Sequence, residues 1–166
     1  KIENGELQHL DLHLQRIQRT CREFFGSTKD LHTLRHDFRV AVREKDSIQK
    51  LTIHYDLETH HVISQPYYVK KIKQLYLVAN ETLNYHLKHA NRKIFNEYST
   101  QAGPEGDVLI IQQGRLTDAT YANLALWNGF EWHTPSRPLL KGIKRQHLLE
   151  SRRIKEKDIL LTDLKK

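Results

Sequence analysis

Leu7, Leu10, Leu14, Ile17, Cys21 and Phe24 follow one another at steps of three and four residues, the spacing that lines one face of an α-helix with apolar side chains. Gly26 ends the run. After a short helical stretch from Lys29 to about His36, Phe38–Val42 reads as a strand, and Leu51–Tyr55 alternates apolar and polar side chains as a half-buried strand does. Glu44-Lys-Asp-Ser47 would join these two strands as a hairpin.

From Asp56 to Tyr68, with His60, His61 and Pro66, no period stands out, so this segment reads as a connection and places a domain boundary at residue 68. Residues 1–68 then form a small α/β domain and 69–166 a larger, sheet-rich one. In the second part, Lys73–Ala79 is a strand candidate, Ala90–Tyr98 a helix with Ile94, Phe95 and Tyr98 on one side, and Gly103-Pro-Glu-Gly106 a break. Asp107–Ile111 is a short buried strand, and Gly114 turns the chain into Arg115-Leu-Thr117. Tyr121–Trp127 and Phe130–Thr134 flank Asn128-Gly129, a strong hairpin signal. Pro135 and Pro138 stop the sheet. Leu140, Ile143, His147, Ser151 and Ile154 resume helical spacing with Gly142 near the first turn, and the C-terminus approaches as if to form a strand.

With 38% hydrophobic and 28% charged residues, the 166-residue chain has enough apolar material for one domain or two small ones. No apolar run approaches the roughly 18 residues of a membrane span, and a cytoplasmic setting is the default expectation. Cys21 is the only cysteine, which excludes an internal disulfide. The net charge of +7 is scattered among acids apart from Lys70-Lys-Ile-Lys73 and the segment from Lys141 to Lys157, a pattern that serves solubility better than nucleic-acid binding. The chain contains no Met and opens on Lys-Ile-Glu-Asn-Gly, so we expect the sequence to be trimmed at its ends.

Several polar residues fall in an order that carries chemistry. Lys88, in Tyr85-His-Leu-Lys-His-Ala-Asn-Arg92, has His86, His89 and Arg92 close by in sequence. Positive neighbours and desolvation lower an amine's pKa and make it an imine-forming nucleophile, although a solvated surface lysine is the plainer reading. Asp118 follows a turn; it either caps that turn or holds a protonated pyridine nitrogen. Asn123 is the next polar side chain expected to face inward. Gly142-Ile143-Lys144-Arg145 opens a helix whose exposed amides attract phosphate. Arg16 shares a helix face with His13.

The segments Val108-Leu-Ile-Ile-Gln-Gln-Gly-Arg-Leu-Thr-Asp118, Ala122-Asn-Leu-Ala-Leu126, His133-Thr-Pro135 and Leu139-Leu-Lys-Gly-Ile-Lys-Arg145, with His13-Leu-Gln-Arg16 upstream, together resemble the class IV aminotransferase family. The resemblance implies an α/β, two-domain fold with a small α/β domain, a larger pseudo-barrel domain and pyridoxal 5′-phosphate in the cleft between them. It also implies that the family's opening strand and its closing segment lie outside this sequence. By the same resemblance, Lys88 forms the imine with the cofactor and shuttles the substrate proton. Asp118 holds the pyridine nitrogen where the family normally has glutamate. Arg16 binds the phosphate with the backbone amides of Ile143 and Lys144; the family usually has threonine in place of Lys144. The partners it implies are a small-molecule amino substrate and a second copy of the chain in a homodimer.

Within the family, Lys88-His-Ala-Asn-Arg92 is most similar to the surround of the lysine in 4-amino-4-deoxychorismate lyase, which releases pyruvate and leaves 4-aminobenzoate, a folate precursor. A branched-chain or D-amino acid aminotransferase is the alternative. The other readings are a non-catalytic or nucleic-acid-binding descendant of the fold, and a metal site through His9 and His13 or through His60 and His61. The metal reading lacks a third ligand at recognisable spacing.

Overall fold

A computed structural model describes residues 1–42 and 48–165 of the chain. It divides into two compact units, Lys1–Val69 and Lys70–Lys166.

In the first unit, β1 (Ile2–Glu3) and β2 (Glu6–Leu7) form a tight hairpin through Asn4 and Gly5. Both turn residues have positive φ, 52° and 74°, as an Asn-Gly turn of this type requires. Helix α1 (Leu10–Phe25) follows, then α2 (Leu31–Val40), β3 (Gln49–Tyr55) and β4 (His60–Pro66). The sheet order is β2-β1-β3-β4, antiparallel throughout. Most of the face read from the sequence packs as expected: Leu14, Ile17 and Cys21 of α1 are buried with Leu34 and Phe38 of α2, against Leu51, Ile53, Tyr55 and Val62 from β3 and β4; Phe24, expected on that face, is 59% exposed, and Phe25 packs against the core instead. Leu7, however, belongs to β2, so the helix begins later than its apolar period suggested.

Two expectations for this unit fail. The strand expected at Phe38–Val42 is the end of α2 as far as Val40. Leu34 and Phe38 are four residues apart and enter the same core, so the pair was a helical signal. The partner of β3 is β4, in the segment read as a connection, with unbroken register from Gln49↔Pro66 to Tyr55↔His60. Asp56 forms the turn between them by accepting the main-chain N–H groups of Glu58 and Thr59. The outward Ile63 disguised the alternation. The proposed hairpin at Glu44–Ser47 lies outside the described residues.

In the second unit, β5 (Gln74–Ala79), β6 (Gly106–Gln112) and β7 (Arg115–Ala119) make a sheet in that order. β5 and β6 are parallel and β6 and β7 antiparallel. The crossover from β5 to β6 contains α3 (Lys93–Ala102), whose Phe95 and Tyr98 pack with Tyr85, Val108, Ile110 and Leu139. A second sheet, ordered β10-β9-β8, comprises β8 (Leu126–Trp127), β9 (Trp132–Pro135) and β10 (Lys155–Lys157), with α4 (Ile143–Glu150) between β9 and β10.

The Asn128-Gly129 hairpin is present, but shorter than expected. Its first strand begins only at Leu126, because Ala119 and Asp118 turn back on Ala122 and Asn123. β9 ends at Pro135, and the chain from there through Pro138 carries no strand, as the two prolines suggested. The expected C-terminal strand is a 3-10 turn, Leu161–Lys165, while Ile154, expected on the last helix, lies beyond its end and is buried.

Candidate cofactor site

Six residues carry the functional expectation, and five of them belong to the second unit. Asp118, the penultimate residue of β7, is 5% exposed. Its carboxylate has two neutral donors: the side-chain amide of Asn123 at 2.6 Å on Oδ1 and the main-chain N–H of Leu140 at 2.9 Å on Oδ2. Burial is the largest influence on this acid and raises its pKa from 3.8 to about 6, against the lowering effects of those hydrogen bonds and of the Arg145 charge. A carboxylate this desolvated, with no cation bonded directly to it among the described residues, favours a positively charged partner.

Asn123 is engaged with the protein through both its polar atoms. Its Nδ2 donates to Asp118 Oδ1 and, at 2.7 Å, to the Leu140 carbonyl, while its Oδ1 accepts the Gly142 N–H at 3.1 Å. The side chain thus ties the acid to the segment entering α4. That segment needs glycine: a Cβ on Gly142 would lie 2.1 Å from Asn123 Oδ1.

Gly142 precedes α4, and the first bond within the helix runs from the Gln146 N–H to the Gly142 carbonyl. The amides of Ile143, Lys144 and Arg145 therefore have no acceptor inside the helix, and no side chain caps it. Ile143 is buried, and the Lys144 side chain is exposed. Arg145, which sequence reasoning did not single out, is 6% exposed. It holds Thr134 Oγ1 at 3.2 Å, the Pro135 carbonyl at 2.9 Å and Glu156 at 2.5 Å, anchoring α4 to β9 and β10.

Lys88 is exposed, between the buried Tyr85 and Leu87 and the exposed His89. The nearby Arg92 is committed elsewhere: its guanidinium donates to the Thr120 carbonyl at 2.5 Å and to the Tyr85 hydroxyl at 3.1 Å. The structure thus joins Asp118, Asn123 and the start of α4 in one hydrogen-bonded group, and ties the Lys88 segment to the residues just past Asp118. Arg16, on α1 in the first unit, is half-buried with Nη2 3.4 Å from His13 Nδ1.

The family model for class IV aminotransferases matches residues 1–166. The chain belongs to this family. Its members use pyridoxal phosphate. This class IV chain is 30% identical over 164 residues to an uncharacterised protein of Haemophilus influenzae, covering 98% of its own length and 87% of that protein's. It matches the crystal structure of a proposed 4-amino-4-deoxychorismate lyase from Haemophilus somnus 129pt with a TM-score of 0.89 and 27% identity, over 99% of this chain and 87% of that one. A proposed amino-acid aminotransferase from Mesorhizobium loti matches with a TM-score of 0.78 and 22% identity, over 95% and 82% of the two chains; that likeness concerns the fold alone.

Proposed function

We propose that the chain binds pyridoxal 5′-phosphate through Lys88 and Asp118 and acts as a 4-amino-4-deoxychorismate lyase. The observation behind the cofactor assignment is the buried Asp118 carboxyl, with neutral donors on both oxygens and a pKa raised to about 6. A protonated pyridine nitrogen suits such a group, because it would discharge the buried anion and add a hydrogen bond. The lyase assignment draws on the Lys88-His-Ala-Asn-Arg92 sequence and on the similarity to the Haemophilus somnus protein.

Bound pyridoxal phosphate supplies a conjugated ring that delocalises negative charge from the substrate carbon beside the amino group. Asp118 keeps the proton on the pyridine nitrogen and so keeps that ring electron-poor. Asn123, expected on the cofactor side, supports Asp118 with both its amide hydrogens given to Asp118 and the Leu140 carbonyl, which leaves its Oδ1 as the atom with capacity for a further donor. The amides of Ile143 and Lys144 hold the phosphate, and Arg16 is assigned to the same phosphate from its family motif. The Lys88 amine removes the proton from the amino-bearing carbon of aminodeoxychorismate. The bond between the substrate's ring carbon and the enolpyruvyl oxygen would then break, the substrate's own ring would become aromatic, and the proton held by Lys88 would pass to the departing enolpyruvate to complete pyruvate.

Borohydride reduction of the cofactor-loaded protein should attach the cofactor to Lys88, as read by peptide mapping. Label on another lysine, or none, overturns the cofactor assignment. Aminodeoxychorismate should then yield equal amounts of pyruvate and 4-aminobenzoate. Amino-group transfer from amino acids to 2-oxoglutarate with no 4-aminobenzoate formed would overturn the lyase assignment in favour of an aminotransferase.

A further inference from the structure

We infer that Arg92 is the positioning residue for Lys88, holding the lysine segment in register with the strand that carries Asp118. This role rests on the proposed cofactor reading, in which Lys88 and Asp118 must meet opposite ends of one rigid ring.

Four links support it. Arg92 immediately precedes α3, and its Nη2 donates to the carbonyl of Thr120, two residues beyond Asp118, at 2.5 Å. Its Nη1 donates to the Tyr85 hydroxyl at 3.1 Å, and that hydroxyl donates to the carbonyl of His89, the residue after Lys88, at 2.9 Å. Thr120 is fixed in turn by the buried Asp107, whose Oδ1 accepts both its N–H and its hydroxyl. The guanidinium also lies over the rings of Phe95 and Tyr121, each with its centroid at 4.8 Å. A connected path therefore runs from Asp107 through Thr120, Arg92 and Tyr85 to the backbone beside Lys88. Residues 81–92 contain no helix or strand, so these side chains do the work that ladder hydrogen bonds do elsewhere. A planar fork with several donors suits the two acceptors, and a lysine could satisfy only part of the arrangement.

The test compares wild type with Arg92→Gln, Arg92→Lys and Tyr85→Phe. In cofactor-free protein, Arg92→Gln should speed amide hydrogen exchange of residues 86–91 roughly ten- to hundredfold, as expected on losing charge-assisted bonds that close a local segment, while β6 exchanges as before. Tyr85→Phe should give the same localised change, which covers the case in which Arg92→Gln unfolds. On addition of pyridoxal phosphate, Arg92→Gln should reduce the visible absorbance and the borohydride-trapped fraction at Lys88, with partial recovery in Arg92→Lys. Unchanged exchange in residues 86–91 overturns the role, as does faster exchange with undiminished trapping at Lys88. If wild type traps no cofactor at Lys88, the proposed function falls, and hydrogen exchange alone decides whether Arg92 orders the segment.

Discussion

Replacing Asp118 with alanine should change how the cofactor-free protein's stability depends on pH. The carboxyl is raised from 3.8 to about 6, with burial as the chief cause. A carboxyl whose pKa is higher in the folded than in the unfolded state stabilises the fold fully below the unfolded value, and that contribution is lost as pH rises through the folded value. Each pKa unit corresponds to about 1.4 kcal/mol, so the full shift amounts to about 3 kcal/mol, of which wild type should lose about 2.4 kcal/mol between pH 4 and pH 7. Asp118→Ala cannot lose it. The variant does lose the acceptors for the Leu140 N–H and the Asn123 amide, at a cost of about 1–3 kcal/mol that varies little with pH. Urea unfolding at intervals from pH 4 to pH 8 should show wild type clearly more stable at the acid end, with the gap closing or reversing by pH 7. Unfolding free energies that run parallel across the range would refute the reasoning, because they would mean that Asp118 titrates alike in the folded and unfolded chain.

Gly142→Ala should cost about 1–3 kcal/mol, since the new Cβ displaces Asn123 from its hydrogen bonds; in an Asn123→Ala background, denaturant titration should find most of that cost gone. Arg145→Met should destabilise by about 2–4 kcal/mol, because Thr134 and the Pro135 carbonyl lose their buried donor; a melting temperature within a degree of wild type would contradict this. Arg16→Gln should weaken pyridoxal phosphate binding without shifting the attachment from Lys88, as measured by cofactor titration and peptide mapping.

The buried face of α1 was legible because helical spacing is a local property, and Leu14, Ile17 and Cys21 stand in the core for that reason. The strand pairing was less so. Nothing local says that β3 pairs with residues 60–66, and Leu34 with Phe38 fits either a helix end or a helix followed by a strand until the core shows where Phe38 goes. The candidate site divides in the same way. Lys88, Asp118 and the turn into α4 were recognisable as an ordered set of residue types, whereas the commitment of Asn123 to protein partners and the span of Arg92 from Thr120 to Tyr85 join residues up to 28 positions apart.

The sequence by itself determined the family, most of the buried face of α1 and the order of the chemical groups, since periodicity and motif order are properties of neighbouring residues. Only the tertiary structure decided how those groups are held. Burial gives Asp118 its raised pKa, the approach of Asn123 demands glycine at position 142, and Arg92 bridges two segments that no local pattern connects. Desolvation and hydrogen bonding act between residues that folding alone brings together.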